Sequence, residues 1–245
     1  GRMDSYIQST QIEDARRQGA PALIVCQLDA QALAPSLQSA AAAGVILGFN
    51  APPNIADGVV VTVDNAELGR QIGAEAGAYI RDVLGGHANV LLLDLPESPS
   101  SSSISSAMEA AMLQAAPDAQ IVARMRGVTR ENGRDAAQAL LASGTAYDVV
   151  LSVNDAAAFG VIAVLQEQNI PPEAVTVFSV NGESLAQQYV RRGLYMQATI
   201  VFDRQMLARS TMEAVIKMLG GGSLPRTILV TDSHVVTADD LTSTP

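Results

Sequence analysis

Short apolar runs alternate with longer amphipathic stretches along almost the whole chain. Residues 22–26, 45–47, 59–63, 89–93, 148–152, 175–180, 197–201 and 227–230 are rich in Ala, Val, Ile and Leu, and 120–125 is a further run that Gln120 and Arg124 interrupt. Such runs predict strands buried on both faces. Between them, 5–18, 30–43, 66–84, 104–116, 132–143, 155–168, 183–192 and 204–219 predict helices. Their stops are Gly19, Gly44, Gly85-Gly86 and Gly220 to Gly222, and either Asp64 or Asn65 caps the third. Pro96 to Ser103 predicts a polar loop, and the serine-rich stretch 98–106 reads as a flexible connector, with hydroxyls facing a ligand as the sharper alternative. Strands and helices in this order predict an α/β fold of parallel sheets flanked by helices. There are more units than one small sheet needs, so two lobes are expected.

In sheets of this kind ligands gather at the carboxyl ends of the strands. Those ends read Cys26-Gln27, Phe49-Asn50, Asp64-Asn65, 95–106, Gly127 to Thr129, Asn154-Asp155, Asn181-Gly182 and Phe202-Asp203. Asn recurs there as a group able both to donate and to accept. Each position also has a plainer reading. Asn154 and Asp155 suit a helix N-cap, and Asn181-Gly182 suits a turn with positive φ. Phe49 and Phe202 are either core or a platform for an apolar ligand face. Cys26 reads as a small buried hydrophobe. Arg124, Arg126, Arg130 and Arg134 read as a solvated face, with contact to an anionic ligand as the sharper alternative. His87 and His234 read as surface residues outside any metal-binding spacing.

Composition narrows the function classes. Hydrophobic residues are 48% of the 245, aromatics only 4%, and Trp is absent, so the core is aliphatic. The net charge is −10, and Lys217 is the only lysine among 15 basic residues. An acidic chain without a basic cluster repels phosphate backbones, which argues against direct nucleic-acid binding. A single cysteine excludes an intrachain disulfide and a cysteine zinc site. No apolar run approaches the roughly 18 residues a membrane helix needs. Dinucleotide, phosphate-loop and nucleophile-elbow motifs are absent, and no motif pairs Asp64, Asp155 or Asp203 with a His or Lys. The expectation is a non-catalytic protein with no cofactor and no metal.

Six segments in order resemble one family. They are Gln8 to Gln27, Val61 to Gly69 with its Asp64-Asn65 pair, Leu84 to Leu93, Asp148 to Gly160 with its Asn154-Asp155 pair, Val177 to Gly182, and Gly193 to Ile200. Together they resemble the type I periplasmic solute-binding proteins, both the ribose-type sugar binders and the effector domains of lactose-repressor-like regulators. The resemblance implies two lobes joined by three hinge crossovers, 1–62 plus 203–231 and 63–202 plus 232–245, closing on a small molecule. It implies a ligand set of Cys26, Phe49, Asn50, Thr129, Asn154, Asp155, Asn181 and Phe202, with Ser105 or Ser106 near the place of the family's Arg. Asn181 stands where the family has a carboxylate. With that Arg lost and Phe gained, a neutral or apolar-faced ligand is expected rather than an ordinary pyranose.

Two roles remain open from the resemblance. One is the binding component of an ABC-type transport system, periplasmic or extracellular, with a membrane permease as partner. The other is a regulator's effector domain, cytoplasmic, or a sensor module. Leu84 to Leu93 and the tail Val235 to Leu241 look more like the transport branch. The family's opening strand–helix–strand unit has no counterpart here. The strand at 22–26 is therefore expected at a sheet edge, apolar and without a protecting charge or Pro. Either a segment outside this sequence or a second copy of the chain, as a homodimer through lobe 1, would cover it.

Overall fold

The computed structural model describes residues 4–230 and 232–242. The outermost positions of the expected lobes, 1–3, 231 and 243–245, lie outside these. The chain divides into two compact units. One comprises Gly1–Asp64, Glu97–Ser100 and Asp203–Thr231; the other comprises Asn65–Pro96, Ser101–Phe202 and Asp232–Pro245.

The first unit holds α1 (Ser5–Arg17), β1 (Ala22–Val25), α2 (Ala30–Ala42), β2 (Ile46–Phe49) and β3 (Val59–Val63). The chain then leaves for the second unit through α3 (Asn65–Asp82), β4 (Asn89–Asp94), α4 (Pro99–Ala115), β5 (Gln120–Arg126), α5 (Arg130–Ser143), β6 (Val149–Ser152), α6 (Asp155–Glu167), β7 (Thr176–Val180), α7 (Ser184–Arg191) and β8 (Met196–Phe202). It returns with α8 (Arg204–Leu219) and β9 (Thr227–Val230), and ends in the second unit with β10 (Ser233–Val236) and α9 (Ala238–Thr242).

The first unit's sheet has the order β1-β2-β3-β9 and every pair is parallel. Leu33, Leu37, Leu47, Phe49 and Val60 form its core with Ile12 of α1. Asp4 and Asp29 start α1 and α2 by accepting from free backbone N–H groups of the first turns. The second unit's sheet has the order β10-β8-β7-β6-β4-β5. Its core includes Leu91, Leu93, Val150, Val161, Ile162, Leu165 and Val177, all buried.

One feature refines the expected parallel sheets, and one expectation is corrected. The tail strand β10 pairs antiparallel with β8, so this sheet is parallel except at one edge. The serine run is not a flexible connector, since α4 begins at Pro99 and takes in Ser100 to Ser103. Proline suits a helix's first positions because its missing N–H is unbonded there anyway. Ser101 is buried and accepts a hydrogen bond from the Leu95 amide at 2.7 Å. Packing supplies the rest. Gly69, Gly73 and Gly77 of α3 lie against Ile104, Met108 and Met112 so closely that a Cβ on any of them would overlap the facing helix. The apolar contact outweighs the weak helix preference of serine, a few tenths of a kcal/mol per residue.

Candidate functional site

Each unit presents its strand ends separately. In the first unit Cys26 and Gln27 follow β1, and Asn50 and Ala51 follow β2. Cys26 is exposed rather than buried, and partial burial of its sulfur pushes the thiol pKa up, so it stays protonated. Its carbonyl accepts from the Gln8 amide at 2.8 Å, and the same Gln8 side chain accepts from the Leu28 N–H at 3.1 Å. Gln27 is buried and donates to the Ala51 carbonyl at 2.8 Å, tying the two strand ends together. The Gln27 Oε1 and Asn50 Oδ1 atoms are buried and accept no hydrogen bond among the described residues. Phe49 is no ligand platform. Its side chain is fully buried in the core cluster, on the face where Gly58 leaves room for the ring; a Cβ at 58 would lie 2.6 Å from Phe49 Cε2.

In the second unit the strand order reverses between β4 and β6, since β5 lies outside β4 and β7 and β8 run the other way. Such a switch point opens a crevice at the strands' carboxyl ends. β4 ends there in Asp94, which is buried and bonded to Arg124 of β5 at 2.6 Å. Arg124 also pairs with Glu109, and Arg134 grips Glu167 with two nitrogens at 2.7 and 3.0 Å. Both arginines are thus committed to carboxylates of this chain. Ser105 faces inward, with its hydroxyl on the Ser102 carbonyl at 3.3 Å.

Beyond β6, Asn154 caps α6, its Oδ1 accepting from the Ala157 N–H at 2.9 Å. Its Nδ2 donates to the Val128 carbonyl at 2.9 Å, which joins it to the loop carrying Thr129. Thr129 in turn caps α5 through the Asn132 N–H at 3.1 Å. Both are half-buried. An Asn amide has two N–H donors, and Asn154 uses one of them on Val128. Asn181 is half-buried at φ 120°, and Gly182 follows at φ 59°. Phe202 is half-buried as the last residue of β8, opposite Ser233.

Asp155 departs from its expected place in the ligand set. It is fully buried, its Oδ1 accepting from Thr199 Oγ1 at 2.9 Å and from Ser179 Oγ, and its Oδ2 from the Glu183 N–H at 2.6 Å. Burial pushes its pKa up to about 6 against the lowering effect of these bonds.

Thr129, Asn154 and Asn181 with Asp155 thus form one connected group in the second unit, and Asn50 stands with Gln27 in the first. Sequence reading missed Asp94, Ser179 and Thr199, and it left Gln27, though seen at a strand end, out of the ligand set. Their signal was a polar residue inside or just after a continuous apolar strand, which solvent alone would not explain. No cluster of His, Cys, Asp and Glu suited to a metal occurs among the described residues.

The fold, with polar side chains gathered at its strand ends, fits the class of small-molecule-binding proteins. Comparison agrees. The Periplasmic binding protein domain family matches residues 2–223, and the chain belongs to that family. It is a family of solute-binding proteins, not of enzymes. No curated protein matches the chain. Solved structures do. An ABC transporter solute-binding protein from Mycobacterium smegmatis with bound glycerol has a TM-score of 0.85 at 22% identity, covering 98% of this chain and 82% of that one. A Caulobacter myo-inositol-binding protein gives 0.83 at 23% identity, with coverage of 98% and 81%. An Actinobacillus succinogenes ABC transporter periplasmic solute-binding protein with bound D-allose gives 0.79 at 21%, with coverage of 98% and 86%. At these identities the likeness establishes the fold.

Proposed function

We propose that the chain is the solute-binding component of an ABC-type transport system and works in the periplasm or outside the cell, delivering its ligand to a membrane permease. The neighbours' described roles support this reading over that of a regulator's effector domain. The ligand is a small neutral solute with several hydroxyl groups; taken unit by unit, the candidate contacts are Asn50 and Cys26 in the first and Thr129, Asn154, Asn181 and Phe202 in the second.

The observation that carries the ligand class is the bare, buried acceptor of Asn50 at the end of β2, with that of Gln27 at the end of the neighbouring strand β1. A buried carbonyl oxygen without a donor costs about 1–3 kcal/mol, which a ligand hydroxyl relieves. With Phe49 in the core, Phe202 is left as the only aromatic of the set, so hydrogen bonding outweighs stacking. The chain also exposes an apolar edge at β1 and, in the 245-residue form, associates there with a second copy.

The experiment is a thermal-shift and calorimetric screen of glycerol, myo-inositol, D-allose and L-arabinose beside aromatic metabolites. Binding of a polyol or sugar, lost in Asn50→Ala, is expected. Binding confined to aromatic metabolites, or a polyol affinity untouched by Asn50→Ala and Asn181→Ala, overturns the reading.

A further inference from the structure

The turn that carries Asn181 is held in a conformation its own sequence disfavours. A φ of 120° at Asn181 lies in a region that residues with a Cβ rarely occupy, and such strain persists only where surroundings enforce it. The next residue cannot relieve it. Gly182 is also at positive φ, and a Cβ there would overlap the Val201 side chain.

The restraint comes from Asp155 on a different element. Its Oδ2 takes the Glu183 N–H at 2.6 Å, just past the turn. Its Oδ1 takes the hydroxyl of Thr199 at 2.9 Å, and Thr199 Oγ1 in turn accepts the Gly182 N–H at 3.1 Å. Ser179, two residues before Asn181, donates to the same Oδ1. Asp155 therefore reaches both sides of Asn181. The Asn181 N–H itself goes to the Ile200 carbonyl at 3.0 Å, and its side chain has no hydrogen bond among the described residues. Glu183 lacks a side-chain cap bond for α7, so Asp155 also supplies the anion at the start of that helix.

The groups around Asp155 explain why a carboxylate is kept there at a cost. β7 offers the Ser179 hydroxyl, β8 the Thr199 hydroxyl and the start of α7 the Glu183 amide. The charge felt from Glu183 has the same sign and opposes ionisation. Burying such a group weakens the fold by itself. Three donors converging on one strained turn give it a purpose.

We propose that Asp155 is a positioning residue for ligand binding. It does not touch the ligand but clamps the Asn181–Gly182 turn so that the Asn181 amide is presented in one orientation. This rests on the binding role of Asn181 proposed above.

The test compares wild type, Asp155→Ala, Asp155→Asn, Asn181→Ala and the double Asp155→Ala/Asn181→Ala variant. Calorimetry with glycerol, myo-inositol, D-allose and L-arabinose reads affinity, and amide hydrogen exchange reads opening at residues 181–184. Asparagine keeps an acceptor for the Glu183 N–H and donates to the rotated hydroxyls, so it should hold the turn. The expected result is affinity about tenfold weaker in Asp155→Ala and near wild type in Asp155→Asn. The double variant binds no more weakly than Asn181→Ala, because two residues acting through one contact are not additive. Exchange at 181–184 rises in the variants that carry Asp155→Ala and not in Asp155→Asn. Additive losses, wild-type affinity in Asp155→Ala, or no rescue by Asn overturn the proposal. If wild type binds none of the four probes, the binding reading fails separately, and unchanged exchange in Asp155→Ala still sinks the clamp.

Discussion

Gly133 of α5 lies directly against the backbone of Ala157 of α6, so close that a Cβ at 133 would overlap the Ala157 carbonyl oxygen. The contact is reciprocal, since Gly160 of α6 meets the Arg130 carbonyl in the same way. The two helices start at Thr129 and Asn154, which the Asn154–Val128 hydrogen bond links. Backbone contact between the helices thus fixes the spacing of two candidate ligand residues.

Gly133→Ala should therefore destabilise the chain by roughly 1–3 kcal/mol or more, since backbone, not a flexible side chain, must give way. Urea unfolding measures it. Gly220→Ala is the control. Gly220 sits at φ −78° with nothing nearer than 3.5 Å to an added Cβ, so its effect should stay within about 0.5 kcal/mol. Equal effects at both positions would refute the close-packing explanation.

Asp155 should leave a signature in the pH dependence of stability. Burial pushes its carboxyl up to about 6 from the ordinary aspartate value of 3.8. Between those values the folded chain binds more protons than the unfolded one, so stability falls as pH rises. The favourable contribution is complete below about pH 4 and lost above about pH 6, a span worth about 3 kcal/mol. Unfolding free energies of wild type and Asp155→Asn, compared from pH 4 to 7, should diverge by that order, with wild type losing ground as pH rises. Parallel curves would show that burial does not perturb this carboxyl.

Removing Arg124 should cost more than neutralising its partner. Asp94 is 1% exposed and its second oxygen accepts no bond among the described residues, so Arg124→Met strands a buried carboxylate. The usual cost of about 3–5 kcal/mol is reduced to roughly 2 kcal/mol here because Arg124 reaches solvent. Asp94→Asn should cost less, and the double variant less than the sum of the two. Chemical denaturation of the set gives the coupling.

The 245-residue chain should self-associate through its first unit. β1 pairs only with β2 among the described strands and exposes Ile24 at 45%, while Met212, Ile216 and Leu219 of α8 show a further apolar stripe. An apolar strand edge without charge or Pro invites pairing. Light scattering at micromolar concentration should give a dimer, and Ile24→Lys should return a monomer. A monomeric wild type would refute it.

By itself the sequence determined the order of strands and helices, because continuous Val, Ile and Leu runs cannot be left in water and glycines end the helices between them. It also placed Asn50, Thr129, Asn154 and Asn181 at strand ends, since a polar residue just after an apolar run marks where the strand leaves the core. Three things were decided only by tertiary structure. Serines 100–103 became helical because the α3 glycines let α4 pack down, a contact between segments far apart in sequence. Phe49 turned inward because the pleat and the gap at Gly58 set its side. Asp155 was buried rather than offered to a ligand, because Ser179, Thr199 and the Glu183 amide arrive from three other elements. Local pattern decides whether a residue leaves water. Which partner meets it there depends on chain brought in from elsewhere.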